Sequence, residues 1–128
     1  MTTASTTALL LMAHGSRNAE ANDDLRRLAD EIRAEGEYAV VEASYLELAE
    51  PGIVEGGRGC VSLGAARVVM APYFLSAGVH VRRDLQAFRD QLAAEFPGVA
   101  FTLAEPMGRH PLLRAIVLQR AREAMEGS

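Results

Sequence analysis

Four times along this chain a short apolar run is followed by a longer segment with helical spacing, and that alternation constrains the fold more than any other feature. The first run, Ala8–Ala13, is continuously apolar, as expected of a strand buried on both faces of a parallel sheet. A helix is expected over Ala19–Glu35, with Ala21, Leu25, Leu28, Ala29 and Ile32 on one stripe and Gly36 ending it. Tyr38–Tyr45 reads as a second strand and Pro51 to about Leu63 as a second helix. Arg67–Pro72 is a third strand, and from about Val81 to Phe96 a helix carries Leu85, Phe88, Leu92 and Phe96, stopped by Pro97 and Gly98. Val99–Leu103 is the last strand; the last helix, Leu112–Met125, should bury Leu113, Ile116, Val117, Ala121 and Ala124. Alternation of this kind implies an α/β fold: a four-stranded parallel sheet, right-handed crossovers and helices on both faces.

The second helix is unusual because Gly56, Gly57 and Gly59 each weaken it. Either a neighbouring helix or a flat ligand comes close to that small face, or the helix is irregular.

With 128 residues, 49% of them hydrophobic, the chain can bury one substantial core. Residues 8–128 are therefore expected to form a single domain, preceded by a disordered polar tail over residues 1–7. A formal net charge of −4 argues against a nucleic-acid or anionic-membrane partner, which would reward a clustered excess of Lys and Arg. The single cysteine, Cys60, cannot form an internal disulfide and reads as a small buried residue. MTTASTT has no basic residue, and Ala8–Ala13 is too short for a signal-peptide core or a membrane span. A cytoplasmic location follows as the expectation.

Every histidine falls just past a strand. His14 follows the first strand, His80 the third and His110 the fourth, while Glu47 follows the second. In an open parallel sheet these positions lie at the carboxyl ends of the strands, where ligands bind. The stretch PYFLSAGVHVRRD places His80 in a strand-to-helix loop whose apolar lead-in should keep water scarce around the imidazole. Two imidazoles and a carboxylate suit a divalent transition metal, and imidazole is also a base near neutrality. A lone histidine after a strand is more often a structural hydrogen-bonding group; the joint placement of His14 and His80 favours a site. Glu50, directly before Pro51, fits a helix N-terminal charge better than a ligand. His110, directly before Pro111, either caps the last helix or lines the pocket. There is no Walker A motif, no G-x-S-x-G elbow and no C-x-x-C. A phosphohistidine phosphatase would place an arginine before His14, where Ala13 stands.

The motifs MAHGSR, YLELAEP and APYFLSAGVHVRRDL, with G-x-HP after the fourth strand, together resemble the CbiX/SirB family of class II tetrapyrrole chelatases. The likeness covers nearly the whole chain. It implies a chelatase-like half-domain that inserts divalent cobalt, nickel or iron into the tetrapyrrole sirohydrochlorin, in cobalamin or sirohaem biosynthesis. The metal is then a substrate, and no organic cofactor is implied. By the same resemblance His14 and His80 are the active-site histidines and Glu47 the metal-site glutamate, and short members work as homodimers that build one cleft. Sirohydrochlorin is rich in carboxylates, so Arg17, Arg82, Arg83 and Arg109, with His110, become candidate substrate-binding residues. A non-catalytic metal or tetrapyrrole carrier on the same fold is the alternative.

Overall fold

A computed structural model describes residues 6–127. Its elements alternate as β1 (Thr7–Ala13), α1 (Ala19–Glu35), β2 (Val40–Tyr45), α2 (Ile53–Ser62), β3 (Arg67–Pro72), α3 (Val79–Glu95), β4 (Ala100–Leu103) and α4 (Pro111–Glu126). The sheet is four-stranded with order β2-β1-β3-β4, and each neighbouring pair is parallel. After β2 the chain therefore crosses back over β1, and the topological switch point lies between β1 and β3. Residues 1–5 of the expected tail lie outside the described residues. Thr7 already opens β1, and the Ala66 N–H donates to the Thr6 carbonyl at 2.8 Å.

The continuous apolar run of β1 is explained by two cores. Alternate side chains Ala8, Leu10 and Met12 meet Ile53 and Cys60 of α2, Leu85 and Leu92 of α3, and Val68, Met70 and Phe101. Leu9 and Leu11 point the other way, against Leu25 and Ala29 of α1 and against Val41 and Tyr45. α1 keeps its expected bounds because its ends are specified locally. The Asn18 side chain accepts from the Glu20 N–H at its start, and Gly36 adopts φ 83° at its end.

Gly56 and Gly57 serve close approach to protein, not to a ligand. A Cβ on Gly57 would stand 2.5 Å from Leu92 Cδ1, and one on Gly56 would stand 3.0 Å from Leu10 Cδ1 and Ser44 Cβ. α2 thus sits tightly between α3 and the sheet, whereas a Cβ on Gly59 would meet nothing within 4 Å. Burial pushes the Cys60 thiol up to about 12, with the Glu42 charge adding to it, so this residue is packing and not chemistry.

α4 departs from its expectation. None of its residues is buried, including Leu113, Ile116, Val117, Ala121 and Ala124. A helical stripe is buried only if the preceding loop returns the helix to the sheet, and here the loop is committed elsewhere. The Met107 N–H donates to the Phe74 carbonyl at 3.1 Å, and the Gly108 backbone lies so close to Leu75 that a Cβ would stand 2.1 Å from its carbonyl oxygen. Among the described residues no helix is long and apolar enough to cross a membrane.

Candidate functional site

The four strand-exit segments are tied to one another in the order of the sheet. The Leu46 N–H donates to the Ala13 carbonyl at 2.9 Å and the Glu47 N–H to the His14 carbonyl at 3.1 Å, which prolongs the β1–β2 ladder past the strands. Gly15, at φ 91°, lies against Glu47; a Cβ there would stand 1.7 Å from the Glu47 carbonyl oxygen. Only glycine allows this approach. On the other side of β1 the His14 ring stands 4.6 Å, centroid to centroid, from the ring of buried Phe74, tilted by 35°. Phe74 in turn receives Met107 of the β4 exit. His14 therefore sits at the centre of the row, beside the switch point where open α/β sheets bind ligands.

The turn after His14 is built by a residue that periodicity alone passes over. Asn22 lies on the buried stripe of α1, 8% exposed. Its Oδ1 accepts from the Ser16 N–H at 2.9 Å, and its Nδ2 donates to the Ser16 carbonyl at 2.7 Å. Buried Tyr45, the last residue of β2, donates its hydroxyl to the Asn22 carbonyl at 2.6 Å. A buried polar group needs partners, and these partners hold the HGSR turn against both α1 and β2. The signal in the sequence was an asparagine in register with Leu25 and Ala29. Burial raises the Tyr45 hydroxyl above its ordinary value of 10.0; the Arg26 charge opposes this and the Asp23 charge adds to it.

His80 is placed differently from the expectation. α3 begins at Val79, so His80 belongs to the first helical turn, not to the loop, and it is solvent-exposed. The expected water-poor setting does not form, because the apolar lead-in splits: Phe74 turns inward while Tyr73, Leu75 and Val79 stay exposed. His14 and Glu47 are also exposed. Among the described residues no three His, Cys, Asp or Glu side chains are grouped so as to hold a metal ion. The fold brings the backbones of His14 and Glu47 together and leaves His80 on the neighbouring helix.

Beside these loops, between the exits of β3 and β4, runs a groove of about 470 Å³ lined by Leu75, Ser76, Ala77, Arg82, Glu105 and Arg109. Arg82 Nη1 stands 3.4 Å from Glu105 Oε2. Among the described residues Arg17, Arg83 and Arg109 form no ion pair. His110 is the N-cap of α4, its Nδ1 accepting from the Leu112 N–H at 3.1 Å, so of its two expected roles the structure gives it the capping one. Glu50 precedes the N-cap Gly52 of α2 and offers its carbonyl to Arg26 Nη2 at 3.2 Å.

Comparison with known proteins places this geometry. The chain is 36% identical over 126 residues to the sirohydrochlorin cobaltochelatase of Priestia megaterium, covering 98% of this chain and 41% of that protein. It is 34% identical over 117 residues to the chloroplastic sirohydrochlorin ferrochelatase of Arabidopsis thaliana, covering 91% of this chain and 52% of that protein. The chain thus spans about half the length of these two relatives. Among solved structures, the putative cobalamin biosynthesis CbiX protein of Marinobacter aquaeolei VT8 superposes with a TM-score of 0.81 at 33% identity, covering 95% of this chain and 99% of that one. The CbiX family itself matches residues 8–124, from the second residue of β1 into the last turns of α4, and the chain belongs to it.

Proposed function

We propose that this chain inserts a divalent metal ion, cobalt, nickel or iron, into sirohydrochlorin or a close relative of it. The observation that carries the reading is the row of tied exit loops, which holds His14 and Glu47 at the switch point with the arginine-lined groove beside them. Both named relatives of Priestia and Arabidopsis act on the same tetrapyrrole with different metals. Imidazole and carboxylate donors accept all of these ions, so the donor set fits a choice made by metal supply.

Insertion exchanges one divalent cation for two pyrrolic protons. No electrons move, so the reaction needs no organic cofactor. In this reading His14 and His80 bind the incoming ion in turn and accept the protons, and Glu47 balances charge at the same edge. The Phe74 ring restricts how far the His14 imidazole can rotate. Arg82, Arg83, Arg109 and Arg17 receive substrate carboxylates, and the first-turn N–H groups of α3, which no side chain caps, add to that anion-binding edge. Exposure of the histidines fits a site whose second wall comes from another chain, so the working unit is a homodimer, with residues 8–128 of each copy acting as one unit in the cytoplasm.

Anaerobic mixing of the purified protein with sirohydrochlorin and, separately, Co(II), Ni(II) or Fe(II) tests the reading by following absorbance against the spontaneous rate. Acceleration is expected, and His14→Ala and His80→Ala should each lower it by about 100-fold or more, the usual contribution of a positioned base. Binding of the tetrapyrrole with no acceleration by any metal would replace the enzyme with a carrier.

A further inference from the structure

The segment between β2 and α2 crosses the carboxyl edge of the sheet and is pinned at both ends. Its start is held by the Leu46 and Glu47 N–H groups on the Ala13 and His14 carbonyls. Its end is held by the Tyr45 N–H, which donates to the Pro51 carbonyl at 3.0 Å, and by Arg26 Nη2 on the Glu50 carbonyl at 3.2 Å. Leu46 packs against the core beneath α2 and α3, and Ala49 against the core beneath α1. Glu47 and Leu48, which join them, therefore pass over the end of the sheet beside His14.

Leucine is a poor choice for folding at this place. Leu48 has φ 64°, in the left-handed region that a bulky side chain enters only at a cost and that glycine or asparagine occupies more easily. Its side chain is 54% exposed and, among the described residues, packs into neither core, so burial does not offset the strain. Arg109 at the β4 exit, with φ 69°, is the other non-glycine residue described in that region. Both lie at the end of the sheet where His14 stands, and strain persists where the surrounding structure fixes it for use. On the other side of His14, the β3 exit adds exposed Tyr73 and Leu75, and the start of α3 adds exposed Val79.

We propose that Leu48 is a substrate-contacting residue, whose side chain presses on the flat face of the tetrapyrrole beside Glu47. The inference rests on the tetrapyrrole reading given above and deepens it by naming what meets the ring itself. A conjugated macrocycle with carboxylates around it has apolar faces and an anionic edge. The exit row offers the complement of both: apolar side chains on either side of the central histidine, and the guanidinium groups of Arg82 and Arg109 in the groove beside them. The two strained residues divide the same way, one apolar for the face and one cationic for the edge. A bare metal ion or a small phosphate ester would have no use for a leucine held out in solvent.

Fluorescence titration with metal-free sirohydrochlorin, set beside thermal melting of the same proteins, tests this. Leu48→Gly relieves the backbone and removes the contact, so its Tm should equal or exceed that of wild type while its Kd rises about 10-fold. Leu48→Asn, which also tolerates the left-handed region, should do the same. Leu48→Met keeps an apolar side chain of similar size and should bind within about 2-fold of wild type. A purely structural role for Leu48 would give the reverse, a glycine variant that binds as well as wild type. That result, in a protein whose wild type binds the tetrapyrrole, overturns the inference and leaves the chelatase reading standing. A lower sedimenting mass for Leu48→Gly would assign the side chain to contact between copies and overturn it too. A wild type that does not bind sirohydrochlorin removes both readings.

Discussion

The two halves of the active end are built by opposite means. On the β1–β2 side a hydrogen-bond network does the positioning: Glu47 to His14, Asn22 to Ser16 twice and Tyr45 to Asn22 make four bonds, three of which involve a buried side chain. On the β3–β4 side His80, Arg82, Arg83 and Arg109 are exposed, and the ion pair there, Arg82 with Glu105, is long and solvated. The tied half can hold a reacting group in place before substrate arrives, at the cost of tolerating almost no change. In the proposed reading the open half adapts to a large anionic ring, and single changes there remove only single solvated contacts.

Gly15→Ala should show the contrast most strongly. The new Cβ meets the Glu47 carbonyl, and φ 91° strains any L side chain, so a loss of about 100-fold in kcat/KM and of ~3 kcal/mol in stability is expected. A Gly15→Ala enzyme with normal turnover would show that His14 and Glu47 need not be held together. Asn22→Ala strips the Ser16 backbone of two partners; chemical denaturation should report about 2 kcal/mol lost, with activity down roughly 10-fold as the HGSR turn loosens. Arg82→Ala and Arg109→Ala should instead raise KM by roughly 3- to 10-fold, with kcat little changed and the effect fading at high salt. A fall in kcat alone would place these arginines on the tied side of the comparison.

The smallest effect belongs to Tyr45→Phe, which keeps the ring and loses the bond to the Asn22 carbonyl, about 1 kcal/mol. Its pH dependence has a definite sign. Because folding raises the Tyr45 hydroxyl above 10.0, its contribution is fully present below that pH and is lost as pH rises through the folded-state value. Thermal melts of wild type should therefore fall more steeply above pH 10 than those of Tyr45→Phe.

Much of the fold is legible in the amino-acid order alone. β3 keeps both expected ends and α1 both of its ends, since a cap, a terminal glycine and a pure apolar run are local signals. The placement of His14, Glu47 and His80 at one edge follows from topology, because parallel strands present all their carboxyl ends together. Asn22 is not legible in this way: a polar residue on a buried stripe reads as a flaw in the period until its partners, six residues back and one strand away, are in view. The same holds for Gly57, whose weakness as a helix former is answered by Leu92 of another helix.

What the amino-acid order determined by itself was the menu: four strands, four helices, a parallel sheet and the edge at which its chemistry gathers. Periodicity and capping are properties of neighbours in the chain, and they survive whatever the rest of the molecule does. Only the tertiary structure decided that His80 stands on a helix in solvent, that His110 caps instead of facing the groove, and that α4 leaves its own sheet bare. Each of these depends on where a loop sends the next element. That direction is set by contacts between distant segments, Met107 on Phe74 and Gly108 on Leu75, which no local pattern encodes.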